Sequence, residues 1–242
     1  MKKLITLSLA LAFVFPLFAQ DSTGAKPKKK DFNLSNRAND HFMIQIGYNA
    51  WSARPDTIRT KGLPRSFNMY FMFDFPFKTN PHLSLAIGPG VGTDNIYFDK
   101  MYVGIKDNSS TLQFKNLEDT SHFKKYKLTT AYLEAPIEFR YSSNPETPNS
   151  SYKFALGVKI GALLNAHVKG KTWENKNGGV LLDYIQKETG KHFFNSYRFL
   201  ATARFGRGPF NLYGSYQLNK LFKEGVAPDV RPFTIGLTIS GL

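Results

Sequence analysis

Large apolar residues occupy every second position of the chain from Phe67 to Phe77. The positions between them carry more polar side chains, among them Asn68, Tyr70 and Asp74. A period of two places successive side chains on opposite faces of a strand, whereas a helix would bring residues three and four apart onto one face. The stretch therefore predicts a strand with one apolar face. It is longer than an ordinary strand of about five or six residues, and it matches the roughly nine to eleven residues of a strand that crosses a bilayer.

The same alternation recurs seven more times along the chain. The eight predicted strands begin near residues 42, 66, 83, 126, 152, 197, 210 and 233. Long connections follow the first, third, fifth and seventh strands and short turns follow the second, fourth and sixth, which is the layout of outer-membrane barrels. We therefore predict an all-β fold, an eight-stranded antiparallel up-and-down transmembrane β-barrel of OmpA/OmpX-like size, over residues 41–242. Within the long connections we predict a polar loop over 93–124, with a hairpin that extends the flanking strands as the alternative, and a short helix over Val180–Thr189.

The less apolar face decides which side of the barrel meets lipid, because a soluble barrel such as a lipocalin has the same period with its apolar face inward. Here that face is rich in glycine, which suits the crowded interior of an eight-stranded barrel. It also carries every charge placed within a strand: Asp74, Glu134, Glu138, Arg140, Lys153, Lys159, Arg198 and Arg204. An Arg or Lys facing mid-bilayer costs about 2 to 4 kcal/mol. The pattern favours a membrane barrel, with a soluble secreted barrel as the alternative.

The N-terminus predicts export. Met1-Lys2-Lys3 precedes an apolar run that ends at Ala19, which indicates a signal peptide over residues 1–19. Residues 20–40 are basic and lack periodicity, which predicts a flexible lead-in. The chain has no cysteine, which excludes disulfides, thiol catalysis and Cys-based metal sites. The net charge of +14, or +12 once the two lysines of the signal leave, does not predict a nucleic-acid partner in an exported protein.

One strand carries a family resemblance. Tyr132-Leu-Glu-Ala-Pro-Ile-Glu-Phe-Arg-Tyr141 resembles the Tyr-Leu-Glu-x-Pro strand of the PorT-like outer-membrane β-barrel proteins of Bacteroidota, with Tyr132, Leu133, Glu134 and Pro136 on the matching positions. The resemblance covers about residues 40 to 242 and implies an eight-stranded outer-membrane barrel. The family's namesake assists type 9 secretion, but no further motif ties this chain to that role. Many outer-membrane proteins end in an aromatic residue that faces outward. This chain ends Ser240-Gly-Leu242, and strict alternation places Leu242 on the lumen side.

The inward charges predict a polar network that fills the lumen: Asp74, Glu134, Glu138, Arg140, Lys159, Arg198 and Arg204. If Tyr141 lies opposite Tyr152, then Glu134 lies opposite Lys159 and Arg140 opposite Lys153. The first pair is a predicted ion pair, and the second needs Glu138 or Asp74 nearby to compensate. A side-chain-filled plug is one interpretation of this network. A narrow ion path or gated pore is the other.

The sequence contains no motif that is typical of a catalytic or a cofactor-binding site. There is no Gly-x-Ser-x-Gly elbow, no His-Glu-x-x-His and no paired metal-ligand spacing. Of the five histidines only His167 has inward parity, and His82 with Ser84 has the wrong parity for a lipid-facing esterase. Pro89 and Pro136 each remove a strand donor and predict an irregular seam. We predict no enzyme and no cofactor.

The outer loops carry more lysines than acids, which makes lipopolysaccharide phosphates a candidate partner beside the bilayer itself. A merely solvated loop surface is the alternative. The predicted role is structural or interactive, with envelope proteins as further candidate partners. A small channel and an accessory barrel of a secretion system are the competing functions.

Overall fold

A computed structural model describes residues 41–147 and 149–241. Its strands, in chain order, are β1 (Phe42–Ser52), β2 (Arg65–Phe71), β3 (Phe73–Pro76), β4 (Leu83–Ile87), β5 (Gly90–Phe98), β6 (Met101–Val103), β7 (Phe114–Asn116), β8 (His122–Ser142), β9 (Tyr152–Glu174), β10 (Val180–Thr189), β11 (Tyr197–Arg207), β12 (Phe210–Gln217) and β13 (Arg231–Ser240). Within these residues no helix is long and apolar enough to cross a membrane. The predicted signal peptide, the lead-in over 20–40 and Leu242 lie outside the described residues.

The strands close into a ring of eight antiparallel members. The ring runs β1, β2 with β3, β5 with β4, β8, β9, β11, β12 and β13, and β13 pairs back onto β1 with Gly47 opposite Gly236. Closure leaves no unpaired edge within the ring, which is the condition for crossing a bilayer with strands. The predicted eight-stranded transmembrane barrel is confirmed.

The two faces of each strand differ in exposure as the alternation predicts. On β2, Phe67 is 45% exposed and the neighbouring Asn68 only 4%. Phe75 and Phe139 are likewise exposed, whereas Tyr70 and Met72 are buried. The phenylalanine face is therefore the lipid-facing surface, and the glycine-rich face lines the lumen.

The second and third ring strands are interrupted at Met72 and at Gly88-Pro89, yet their pairing keeps one register across the gap. Tyr70 lies opposite Gly90 on one side and Phe73 opposite Ile87 on the other. A Cβ on Gly88 would lie 1.8 Å from the carbonyl oxygen of Phe71, so only glycine allows the two backbones to approach this closely. Pro89 and Pro136 predict a bulge or a weak seam between the third and fourth predicted strands, and the paired positions there pass from Ile87 opposite Ile137 to Gly90 opposite Glu134.

Two strands extend far past the others at the end of the barrel that carries the long connections. β8 has 21 residues and β9 has 23, and they pair as far as His122 opposite Glu174. Over 93–124 the structure agrees with the alternative in which the flanking strands are extended, because β5 continues to Phe98 and β8 begins at His122, with a β6–β7 hairpin between them.

The helix predicted over Val180–Thr189 is wrong, because these residues form β10. The apolar residues 181, 182 and 185 have helix-like spacing, but a short helix with so few apolar contacts is only marginally stable. Hydrogen bonds to the upper part of β9 stabilise a strand here instead. The register of β10 shifts twice between Val180 and Ile185, which explains why its apolar positions do not alternate.

The predicted register of the hairpin between β8 and β9 is also wrong. Tyr141 lies opposite Phe154, not Tyr152, so that Glu134 faces Gly161, Lys159 faces Pro136 and Arg140 faces Ala155. A shift of two residues leaves every side chain on the same face, and the hydrophobic pattern therefore cannot detect it. The turn fixes the register through Ser151, whose buried hydroxyl bonds the Ser142 hydroxyl at 2.7 Å and accepts from the Asn144 amide at 2.9 Å.

A cluster of buried apolar side chains, here called the apolar cap, fills the barrel mouth on the side of the long connections. Trp51 packs edge-on against both Phe98 and Phe222, with ring centroids 5.8 Å apart in each pair. The cap joins inward residues of the ring strands to residues of the long connections: Trp51, Ile58, Ile96, Phe98, Met101, Val103, Ile105, Leu112, Tyr126, Leu128, Ala166, Val168, Phe193, Phe194, Leu221, Phe222 and Val230. The long connections are thus folded over the lumen.

Candidate functional site: the barrel lumen

Arg198 of β11 forms the centre of an upper lumen cluster just below the apolar cap. Its Nε donates to Glu134 of β8 at 2.7 Å and its Nη1 donates to Asp94 of β5 at 2.5 Å. The guanidinium also lies over the ring of Tyr132, 3.7 Å from the centroid, which is a cation–π contact. Arg198 thus joins three different strands across the lumen.

Lys159 of β9 continues this cluster downward. Its Nζ donates to Gln45 at 2.8 Å, to the Tyr70 hydroxyl at 2.8 Å and to the Tyr213 hydroxyl at 3.0 Å. The Tyr70 hydroxyl in turn donates to Glu134. The ammonium also lies 4.6 and 4.7 Å from the ring centroids of Tyr70 and Tyr213. All three of its donors are therefore used in a space with 1% exposure.

A lower lumen cluster forms around Glu138 of β8. Arg204 donates to both of its carboxylate oxygens, at 3.2 and 2.7 Å, and Arg140 Nε donates to one of them at 3.0 Å. Arg140 also lies 3.6 Å from Asp74, which accepts a hydrogen bond from Ser84 at 2.7 Å. Asp74 thus closes the cluster toward the short-turn end.

The ion pairs and hydrogen bonds described above join as many acids as bases in each cluster. The upper cluster contains two acids and two bases, Asp94, Glu134, Lys159 and Arg198, and the lower contains Asp74, Glu138, Arg140 and Arg204. Buried charges are tolerated only when they are paired and hydrogen-bonded, and an unpaired one costs several kcal/mol. The ion pairs within each cluster offset the cost of burying these charges in the lumen.

The structure brings all seven predicted network residues to the lumen but changes some of their partners. Glu134 pairs with Arg198 rather than directly with Lys159, and Tyr70 bridges the two. Arg140 avoids the predicted clash with Lys153 because Ala155 stands opposite. Of the family-motif positions, Tyr132 and Glu134 face the lumen, Leu133 faces lipid, and Pro136 lies opposite Lys159.

Asp94 is a lumen residue that the sequence prediction missed, because residues 93–124 were assigned to a loop. The signal was present, since Gly90, Gly92, Asp94 and Ile96 continue the inward parity of the third predicted strand. His167 is a second error, since it faces outward. A bulge places Asn165 opposite Ala131 and Leu163 opposite Tyr132, so parity reverses at Leu164 and the inward positions become Ala166 and Val168.

Two cavities among the described lumen side chains are small. A cavity bordered by Asn68, Glu134, Lys159, Arg198 and Tyr213 has a volume of about 10 Å³, enough for roughly one water molecule. A second cavity of about 10 Å³ lies between Asp94 and the cap. In the described part of the chain, no group of three or more His, Asp and Glu side chains could hold a metal ion.

Outside the barrel, β10 is an edge strand with exposed apolar side chains. Among the described strands it pairs with β9 alone. Val180, Leu181, Leu182, Tyr184 and Ile185 are all exposed. An edge of this kind can accept a further strand from a partner.

Comparison with known proteins gives the family. The attachment invasion locus protein Ail of Yersinia pestis aligns at 18% identity over 82% of this chain and 95% of that chain, with a TM-score of 0.31. Neisserial surface protein A aligns at 15% identity over 82% and 96% of the two chains, with a TM-score of 0.28. At these TM-scores the likeness adds nothing to the fold described above, and a search of the curated proteins returned no match. The model of the family described as "Outer membrane protein beta-barrel domain" matches residues 18–223, most of the chain. The protein is therefore an outer-membrane β-barrel, and the chain belongs to this family.

Proposed function

We propose that this protein is a non-enzymatic, closed barrel of the outer membrane whose role is structural or interactive. The observation that supports the proposal is that two clusters of ion pairs lie in the lumen and that the apolar cap lies over its mouth on the side of the long connections. A barrel closed in this way offers solutes no path, so its function lies in the surfaces that it presents to the membrane and to the outside.

The competing function, a small channel, requires the same side chains to move apart. Opening would separate Arg198 from Glu134 and Asp94, and each buried charge would then need water. Liposome swelling tests the difference. We expect proteoliposomes to swell in an iso-osmotic solution of a small sugar no faster than protein-free liposomes, and swelling at the rate of a general porin would overturn the closed-barrel proposal.

Lipopolysaccharide and other envelope proteins are the partners that we propose. The extended strands β8, β9 and β10 support both partners. Their lysines can bind the phosphates of lipopolysaccharide, and the exposed apolar edge of β10 can bind a protein. For the protein partner we propose an extended segment of another envelope protein that pairs with this edge.

A photo-crosslinking residue at Leu182 tests the β10 edge in native membranes. A matched probe at Leu212, which is also exposed but faces lipid on β12, is the control. We expect one recurrent protein adduct from position 182 that is missing from position 212. Identical adduct patterns at the two positions would refute a docking edge at β10.

We make two proposals that are more specific than the family assignment. The first is that the protein belongs to the PorT-like branch in Bacteroidota, and the second is that it is an accessory barrel in type 9-like secretion. The strand from Tyr132 to Pro136 supports the first, with the inward Tyr132 and Glu134 holding Arg198. Secretion of type 9 cargo by a deletion strain tests the second. Normal secretion without this protein would remove the secretion role.

A further inference from the structure

Five lysines share the outward face of the sheet that β8, β9 and β10 form beyond the barrel. Lys127 lies opposite Lys169, Lys169 lies opposite Lys187, and Lys125 lies opposite Lys171. Directly opposed side chains on one face are about 4.5 to 5.5 Å apart at Cβ, and like charges so placed repel each other. We call these five residues the lysine face.

Among the described residues, no carboxylate compensates the charge of the lysine face. In the part of the chain that the structure describes, none of the five lysines forms an ion pair with a carboxylate, and Lys127 Nζ donates to the Asn95 amide oxygen at 2.7 Å. Partial burial together with the charges of Lys169 and Arg65 lowers the pKa of Lys127, which lies beyond the membrane-spanning part of β8. Three lysines in one cross-strand row without an acid among them are the arrangement that an external anion would stabilise.

The lysine face points sideways over the lipid, not away from the cell. The opposite side of the same sheet carries Tyr126, Leu128, Ala166 and Val168, which are buried in the apolar cap. Further down β8, the outward positions become lipid-facing at Leu133. Lys127 lies six residues beyond Leu133, which is roughly 20 Å along the strand and, at a tilt of about 35 to 45°, some 15 Å above it along the membrane normal. No large apolar residue lies between Leu133 and Lys127 on this face of β8, which places Lys127 above the hydrocarbon, on the side of the headgroups and saccharides of the outer leaflet.

An apolar groove lies below the lysine face, where its lining includes β8 and β9 together with residues of the neighbouring ring strands. It has a volume of about 510 Å³, and its floor includes Gly88, Pro89, Ala135 and Ala162, with Phe73 and Tyr197 at its borders. The interruption at Gly88-Pro89 and the small side chains create this groove on the lipid-facing surface. Since no water is present at that depth, hydrocarbon fills the groove.

We propose that the lysine face and the groove together bind one molecule of lipopolysaccharide, with phosphates of its saccharide part on the lysines and an acyl chain in the groove. The two features share β8 and β9, and they lie in the vertical order of such a molecule, with the acyl chain below and the phosphates above. The proposal rests on the interaction role proposed above and assigns it a site and a ligand.

Matched charge variants test the lysine face. The site variant is Lys127→Gln, Lys169→Gln, Lys187→Gln, and the control is Lys176→Gln, Lys191→Gln, Lys223→Gln, which removes the same charge from exposed loop positions. The probe is purified lipopolysaccharide, intact or with its phosphates removed, titrated against the full-length protein in nanodiscs of phosphatidylcholine. We expect the site variant to bind intact lipopolysaccharide at least roughly tenfold more weakly than the wild type, which is about 1.4 kcal/mol, and the control variant to stay within about threefold. Phosphate removal should weaken binding by the wild type and leave the site variant unchanged.

Filling the groove tests the acyl-chain half of the site without altering charge. Ala162→Phe should weaken binding of intact lipopolysaccharide but not of its deacylated saccharide. Heat-modifiable gel mobility establishes that each variant is a folded barrel. Equal losses in the two triple variants, or binding by the wild type that phosphate removal does not change, would overturn the proposed site. These outcomes are independent of the swelling assay, because a closed barrel without this site would still be closed, and a conducting barrel could still bind at its outer face.

Discussion

Arg198 and Glu134 bind each other across the lumen at 2.7 Å although they are 64 positions apart in the chain. Their strands are not consecutive, since β9 lies between β8 and β11 in the ring. The contact therefore ties together strands that the backbone ladder does not join directly. A barrel held by such pairs is braced through its interior as well as around its wall.

Removing Arg198 should destabilise the barrel strongly. Arg198→Met leaves Glu134 and Asp94 buried without their cation, for which we expect a loss of about 3 to 5 kcal/mol in the free energy of unfolding. Urea unfolding in lipid vesicles measures it. Arg59→Gln is the control, because its pair with Glu118 lies at the surface, where water screens the charges, and should contribute much less to stability. A loss no larger than that of the control would show that the lumen pair does not brace the barrel.

Two glycines with different surroundings test the close approach at the strand interruption. Gly88→Ala places a Cβ 1.8 Å from the Phe71 carbonyl oxygen, so the backbones must separate. At Gly214 a Cβ meets nothing within 4 Å. We expect Gly88→Ala to lower the urea midpoint clearly and Gly214→Ala to leave it unchanged or raise it. Similar midpoints for both variants would contradict the packing described at Gly88.

The strand assignment of β10 can be tested with a disulfide, because the chain has no cysteine of its own. Lys169→Cys with Lys187→Cys joins directly opposed positions, at a separation that a disulfide can span. Lys169→Cys with Asp183→Cys is the mismatched control. Rapid oxidation of the first pair alone is expected on non-reducing gels, whereas equal and slow oxidation of both would favour the helix that the sequence suggested.

The apolar cap should contribute to stability like a protein core. Phe222 is 1% exposed and packs on Trp51, Phe114 and Phe194. Phe222→Ala should cost about 3 to 5 kcal/mol through the cavity that it leaves. Phe210→Ala, at a lipid-facing position that is 64% exposed, removes the same atoms without creating an internal cavity and should cost less. Equal urea midpoints for the two variants would contradict a core-like contribution of the apolar cap to stability.

The sequence was sufficient for the strands and their faces, because a period of two and the exclusion of charge from lipid both act locally. It was not sufficient for partners across the lumen. The register between β8 and β9 differs by two residues from the prediction, a shift that keeps every face unchanged, and so Glu134 meets Arg198 in place of Lys159. Such pairing depends on the turn around Ser151 and on ring closure, which no local pattern encodes.

Local irregularities account for the other differences. The bulge at Leu164 reverses the parity of His167, and one extra residue of this kind leaves no mark in the hydrophobic pattern. Asp94 was missed for a different reason, since polar residues at the end of a strand resemble a loop. The spacing of the apolar residues in β10 is typical of a helix. Pairing with β9 determines its conformation instead, and the sequence of β10 alone does not show that pairing.

Single-channel recording in planar bilayers tests the closed barrel most directly. With wild-type protein whose heat-modifiable mobility shows it to be folded, we expect current at the level of the protein-free bilayer at both polarities. The Arg198→Met variant, recorded in parallel, shows whether the assay detects a loosened lumen. Discrete, reproducible opening steps in the wild type would contradict the account, because they would require a continuous water path where the ion clusters and the apolar cap now lie.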